Sequence, residues 1–238
     1  MPPTFGRRLL SEAVGTGVLV AAVIGSGIAA QRLSPTDRGL QLLETAVATG
    51  AVLAALILAL GPVSAAFNPV VSIVAHRDTD DRWTQLAALI AAQVIGGMCG
   101  AVVANLMFEL PAASVATTSR SGIGVWLSEA VATAGLVLIV AGTARTQRHQ
   151  WVAVAVAVGG YIAGAYWFTS STSFANPAVT LARSLSDSFA GISPGSVPGF
   201  LVAQAGGAVL GYLLAGVLFT NSAADLDPVL PTAVKEVS

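Results

Sequence analysis

The chain has 238 residues, 55% of them apolar and 10% charged, with a formal net charge of −1 and a mean hydropathy of +0.78. A soluble domain carries about 25% Asp, Glu, Lys and Arg, so this chain has too few charges to coat a water-facing exterior and is expected to lie largely in hydrocarbon. The absence of a basic tract excludes a nucleic-acid partner, which needs clustered cations against phosphate, and the single cysteine, Cys99, excludes a disulfide framework or a cysteine-based zinc cluster.

From the N-terminus, the first apolar run spans about 8–30 behind Arg7 and Arg8 and has the look of a secretory signal. Glu12 inside it, and a near copy of the segment deep in the chain, mark it instead as a retained membrane span. Further spans are expected at about 40–60, 83–107, 121–143, 151–169 and 197–220. The uncharged stretches 45–75 and 149–182 are 31 and 34 residues long, whereas one helical crossing takes about 20. Each therefore carries a surplus of about a dozen residues, and each surplus holds an Asn-Pro pair, Asn68-Pro69 or Asn176-Pro177.

A surplus of that length cannot cross, so it must dip in and turn back. Irregular backbone at that depth is tolerated only where it is buried in protein or lines a polar cavity. Asn is a preferred helix N-cap and Pro a preferred first helical residue, so each pair is expected to start a short half-helix. The two histidines, His76 and His149, sit in charged connectors without the spacing of a metal or catalytic site. No catalytic residue, metal ligand or cofactor is expected. The end of the chain, 221–238, reads as a flexible cytoplasmic tail.

Three marks recur in the same order. Leu10–Thr16 returns as Leu127–Thr133 at an offset of 117, Gln93 with its following glycines as Gln204 at 111, and Asn68-Pro69-Val70 as Asn176-Pro177-Ala178 at 108. The chain is thus two homologous halves, about 7–108 and 121–220, within a single membrane domain over 1–238. Three spans per half, an odd number, force the second half upside down. The expected fold is an all-α membrane protein of six transmembrane helices plus two re-entrant half-helices in an inverted repeat, with its site near the bilayer midplane. There the half-helices meet from opposite faces with their positive dipole ends converging.

Positive-inside counting favours cytoplasmic termini in a multi-pass protein of the cell membrane. It places Arg7, Arg8, Arg77, Arg82, Arg145, Arg148 and Lys235 inside against Arg32, Arg38, Arg120 and Arg183 outside. A midplane built from two asparagine amides offers donors and acceptors to a neutral solute but not the solvation an ion requires. The traffic is therefore expected to be neutral and passive. Glu12 and Glu129, as intramembrane acids, raise the alternative of a proton-coupled transporter; their repeat-symmetric placement favours a structural role. The glycine pairs Gly96/Gly100, Gly160/Gly164 and Gly207/Gly211 read as close helix packing, and Trp126, Tyr161, Trp167 and Tyr212 as packing or interface anchors.

The two Asn-Pro motifs, Glu12 and Glu129, and the paired Gln-Gly segments resemble the aquaporin or major intrinsic protein family over essentially all of 7–220. The resemblance implies one pore per subunit in a homotetramer embedded in lipid, with Asn68, Pro69, Val70, Asn176, Pro177 and Ala178 at its centre. It also implies that Glu12 and Glu129 are buried acids accepting hydrogen bonds from the re-entrant backbone. Alignment to the family's outer constriction gives Thr49, Gly164, Ser173 and Val179, the last where most relatives carry arginine. Four small uncharged residues imply a wide opening for glycerol, urea and undissociated arsenous acid-like metalloid hydroxides as well as water, the last being consistent with the arsenic-linked members that lack this arginine. A water-selective pore is the alternative. Arg183, seven residues past Asn176, is expected to act as a cap or vestibule cation or, alternatively, to replace the missing arginine. Val70 stands where the first motif usually has alanine, and Ala65-Ala66 where relatives often show Gly-Gly.

Overall fold

The computed structural model describes residues 3–76, 81–144 and 150–219. The tail, together with Arg77, Arg145, Arg148, His149 and Lys235, lies outside them. In chain order the helices are α1 (Phe5–Leu33), α2 (Arg38–Leu60), α3 (Pro69–His76), α4 (Trp83–Met107), α5 (Ile123–Thr143), α6 (Gln150–Phe168), α7 (Pro177–Ala182) and α8 (Val197–Leu218), with single 3-10 turns at Arg183–Leu185 and Pro194–Ser196. Six of these, all but α3 and α7, are long and apolar enough to cross a membrane. The two exceptions are the half-helices that follow Asn68 and Asn176. Every span lies within three residues of where the hydrophobic runs placed it.

Packing obeys the repeat. α1 lies chiefly against α4, and its counterpart α5 against α8. Little hydrophobic driving force separates helix from helix in lipid, so close backbone approach supplies the attraction. The glycines show how close it is. A Cβ on Gly96 would stand 2.0 Å from the Ala13 carbonyl oxygen and one on Gly100 2.1 Å from that of Gly17. In the second half Gly207 and Gly211 stand likewise against the carbonyls of Ala130 and Ala134, at 2.3 and 2.5 Å. Since Ala13 and Gly17 map onto Ala130 and Ala134 at the repeat offset of 117, the same helix crossing has been built twice.

The third glycine pair is a correction. Neither Gly160 nor Gly164 has a neighbour within 4 Å of where a Cβ would be. The crossing of α2 and α6 instead uses Gly50 and Gly159, each of whose Cβ positions would clash with the other's carbonyl oxygen at 2.7 and 2.6 Å. The residue beside the anticipated one packs because α6 turns a different face inward.

At one end of the molecule the connector between α4 and α5 runs alongside the segment after α7. Backbone bonds from Ser114 to Leu185 and from Ala116 to Ser184, both 3.0 Å, tie them, as does Ser193 to Thr118 at 2.8 Å. Arg120 locks this layer: its Nε donates to the Gly191 carbonyl at 2.8 Å and its Nη2 to that of Phe189 at 2.9 Å. Burial there pushes the Arg120 guanidinium below its ordinary value. At the opposite end Arg8 makes a bidentate pair with Asp81, at 3.0 and 2.5 Å. That hydrogen bond holds the Asp81 carboxyl below its usual range, so the pair is intact at neutral pH.

Tyr161 donates its hydroxyl to the Ala132 carbonyl at 3.0 Å, and Trp126 lies over Gly199. Tyr161 is a packing residue between spans, whereas Trp126, like Trp167 and Tyr212, is exposed.

Candidate functional site

The two re-entrant loops meet in the middle of the bundle through a reciprocal pair of bonds. Asn68 caps α3, its side-chain oxygen accepting from Val70 N at 3.0 Å. Asn176 caps α7, accepting from Ala178 N at 3.0 Å and Val179 N at 3.2 Å. With the oxygen engaged in the cap, each amide nitrogen is left to donate. The Asn68 Nδ2 donates to the Ala175 carbonyl and the Asn176 Nδ2 to the Phe67 carbonyl, both at 2.8 Å. Each half-helix tip is thereby bolted to the residue that precedes the other half-helix.

Those two preceding residues make the junction possible and make it costly. Phe67 and Ala175 both have φ of +47°, a left-handed conformation that costs a non-glycine residue about 1–3 kcal/mol. It aims each carbonyl across the midplane and each N–H back toward a carboxylate. Glu12 accepts from Ser64 Oγ at 2.5 Å, Ala66 N at 2.9 Å, Phe67 N at 2.7 Å and Gln93 Nε2 at 2.8 Å. Glu129 accepts from Phe174 N at 2.8 Å, Ala175 N at 2.9 Å and Gln204 Nε2 at 2.8 Å. Both carboxylates are buried, at 1% and 0% exposure, and each is surrounded by donors, which is what a buried charge needs. The repeated glutamines complete the frame: Gln93 Nε2 also donates to Ser72 Oγ on α3, and Gln204 Nε2 to Thr180 Oγ1 on α7, both at 2.8 Å.

A cavity of about 440 Å³ runs past this junction. Arg8, His76 and Asp81 border it at one end and Tyr166, Ser173 and Arg183 at the other, with Asn68 and Asn176 between. Of the six residues expected at the centre, these two asparagines face the cavity. Pro69 and Pro177 open the helices, while Val70 and Ala178 are buried behind the caps. Val70 therefore meets protein rather than solute, and the neighbouring Val71 lines the wall.

Thr49, Ser173 and Val179 all line the cavity. Gly164 does not: it is exposed on the outer face of α6, which corrects the alignment-based expectation. The face that α6 turns inward is Val154, Val158, Ile162 and Tyr166, a stripe at spacing four, and Gly164 lies two residues off it. The alignment assumes a fixed number of residues between α6 and the Asn176 cap, whereas the loop between Phe168 and Asn176 is irregular, with left-handed residues at Thr172 and Ser173 whose φ are 63° and 47°. Tyr166 stands at this level instead, its hydroxyl 3.1 Å from Thr49 Oγ1. Phe174, not foreseen either, also lines the cavity.

Arg183 does not project into an open vestibule. It is 2% exposed, borders the cavity, and its guanidinium carbon lies 3.4 Å from the centre of the Phe174 ring. Among the described residues no group of His, Cys, Asp or Glu is placed to hold a metal. Cys99 is exposed, and the His76 ring lies tilted by 56° against Trp83 with centroids 4.5 Å apart.

Comparison with known proteins gives a consistent assignment. The family model described as "Major intrinsic protein" matches residues 2–150 and again 117–236. Over 209 residues the chain is 48% identical to "Aquaglyceroporin AqpS" of Rhizobium meliloti, covering 87% of this chain and 88% of that protein. It is 30% identical over 219 residues to "Probable aquaporin AqpM" of Archaeoglobus fulgidus, covering 81% and 88%. The fold matches the X-ray structure of the aquaglyceroporin from Plasmodium falciparum with a TM-score of 0.68 at 18% identity, over 91% of this chain and 98% of that one.

Proposed function

The chain belongs to the major intrinsic protein family, and from that premise we propose that it is a passive channel for water and small uncharged solutes. The solutes we assign are glycerol, urea and undissociated metalloid hydroxides of the arsenous acid type. Protons and ions are excluded. The 48% identical relative that is named an aquaglyceroporin supports the solute class. The observation that carries the reading is the cavity bordered at mid-depth by Asn68 and Asn176.

The chemistry follows from the donor count. An asparagine amide has two N–H donors; one on each residue is committed to the opposite loop and the oxygen to its own cap. Each thus has a single donor to offer toward the cavity. A water or hydroxyl oxygen can accept it in passing, which offsets part of the dehydration cost. A cation, hydronium included, meets donors and the positive ends of α3 and α7 where it needs acceptors. With its own hydration lost in a low-dielectric setting, its barrier is far higher than that of a neutral solute.

We assign the protein to the cell membrane as a homotetramer, each subunit with its own pore, and both termini to the cytoplasm. The Arg8 and Asp81 end then faces inward and the Arg183 end outward. Stopped-flow osmotic measurements on proteoliposomes test the solute class. Vesicles containing the protein should shrink in sucrose faster than empty vesicles, then re-swell in glycerol and urea faster than empty vesicles do, and take up arsenous acid. Fast water flux with glycerol, urea and arsenous acid at the empty-vesicle rate would replace this reading with a water-selective pore.

A further inference from the structure

A second cavity, of about 520 Å³, lies at the Arg183 end of the molecule. Its walls come from the corner between α1 and α2, the connector leading into α5 and the loops on either side of α7. It adjoins the pore cavity but shares no lining residue with it. Arg120 lines the second cavity and approaches the Phe174 ring, its guanidinium carbon 5.2 Å from the centroid, while Phe174 itself lines the pore. Ser171 and Thr172 border one space and Ser173 and Phe174 the other, so a short piece of loop and one guanidinium form the partition.

The chemistry of this wall is unlike that of the pore. Seven Ser and Thr side chains line it together with two Gln and two Arg, and no Asp or Glu does, so its only charges are the guanidiniums of Arg38 and Arg120. Arg38 is exposed on the first turn of α2 and has no ion-pair or hydrogen-bond partner among the described residues. Arg120 commits Nε and Nη2 to the Gly191 and Phe189 carbonyls. Its Nη1 has only long contacts, 3.5 Å to the Ser171 carbonyl and to Thr172 Oγ1, beyond the usual span of such bonds. The acids nearest in the chain are engaged elsewhere: Asp37 accepts from Leu40 N, Glu44 from Ser34 Oγ and Asp187 from Thr117. Burial already penalises the Arg120 charge, and a negative group beside it would relieve that penalty.

We infer that this second cavity is a binding site for a tetrahedral oxyanion, either free phosphate or the phosphate of a lipid headgroup, taken between Arg38 and Arg120 with the hydroxyls of Ser119, Ser121 and Ser170 completing its shell. Guanidinium donors match the oxygens of phosphate in pairs, and hydroxyl groups turn to donate to the oxygens that remain. A neutral polyol would leave both guanidiniums without a counter-charge, and a metal cation would meet two positive groups and no carboxylate. The site lies beside the pore rather than in it. The two spaces therefore sort solutes by charge, the anion being held at the surface and the uncharged solute entering the bundle.

Calorimetric titration of the full chain, purified in non-ionic detergent, with sodium phosphate against sodium chloride at matched ionic strength tests the site. Saturable binding of phosphate is expected, with none of chloride. Arg38→Gln should weaken it about tenfold, the value of one charge-assisted hydrogen bond, and Ser121→Asp, which sets a carboxylate in the cavity, should abolish it. Both side chains are exposed, so both variants are expected to keep the wild-type melting temperature. The same titration in nanodiscs of phosphatidylglycerol separates the two sources. Binding that persists there makes free phosphate the occupant, whereas binding present in detergent and lost in the nanodisc makes the lipid headgroup the occupant. No phosphate binding in detergent beyond the chloride control, or undiminished binding in either folded variant, would overturn the assignment.

Discussion

Glu12→Gln and Glu129→Gln are expected to prevent assembly of a stable channel rather than to retune its selectivity. In each carboxylate both oxygens accept at least one backbone N–H from a re-entrant loop: Ala66 and Phe67 at Glu12, Phe174 and Ala175 at Glu129. A glutamine amide keeps only one acceptor oxygen, so whichever way it turns, its NH2 faces a buried N–H. Each stranded donor costs about 1–3 kcal/mol, and bonds to a carboxylate are roughly twice as strong as neutral ones, which gives a loss of about 2–6 kcal/mol. Against a total stability of about 5–15 kcal/mol that is a large share. The released loop also loses what holds Phe67 or Ala175 in its left-handed conformation, and with it the carbonyl that pins the opposite asparagine. Thermal unfolding of detergent-purified protein, followed by size-exclusion chromatography, measures this. Variants that purify with wild-type melting temperature and oligomeric state, and differ only in the pH dependence of flux, would instead mark the two glutamates as proton-coupling groups.

Thr49→Trp is expected to reduce glycerol flux to that of empty vesicles while leaving the fold intact. Thr49 lines the cavity from α2 beside Tyr166, at the level of Ser173, Val179 and Arg183. An indole there has only the cavity to enter, because the helix behind it is closed by the contact of Gly50 with Gly159. Its polar N–H can reach the Tyr166 hydroxyl that Thr49 now meets, so no buried group is stranded. Glycerol flux matched for incorporated protein should therefore collapse without a comparable loss of melting temperature. Undiminished glycerol flux would place the solute path elsewhere, including along the axis of an oligomer.

The spans, the inversion and the meeting of the two Asn-Pro turns were legible in the sequence because each has a strong one-dimensional signature. Hydrocarbon thickness fixes the length of a span, an odd span count fixes inversion, and Asn followed by Pro fixes a helix start. Only the resemblance to the major intrinsic protein family paired Glu12 and Glu129 with the loops; the apolar runs by themselves show that a buried acid needs donors, not which ones. The identity of those donors could not be read, nor could the role of Gln93 and Gln204 as bridges from carboxylate to half-helix, since both depend on the left-handed turns at Phe67 and Ala175. Gly164 shows the limit most clearly. Its placement relied on a fixed number of residues between helix and cap, and irregular loops do not conserve rise per residue. The stripe Val154, Val158, Ile162 and Tyr166 was a better guide to the inner face of α6, and it was present in the sequence as a spacing of four. Arg183 illustrates the opposite case: its distance from Asn176 was visible, but its turn back onto Phe174 depends on Ala190, seven residues further along in a loop without regular structure.

Passive movement of an uncharged solute is tested most directly by labelled glycerol in proteoliposomes held under opposing gradients of proton, sodium and electrical potential. Internal glycerol should rise to the external concentration and stop there, at the same plateau whatever the sign of each gradient, with no current accompanying the flux. Accumulation above the external concentration, or a plateau that follows the proton gradient or the membrane potential, would contradict a channel and identify a coupled transporter.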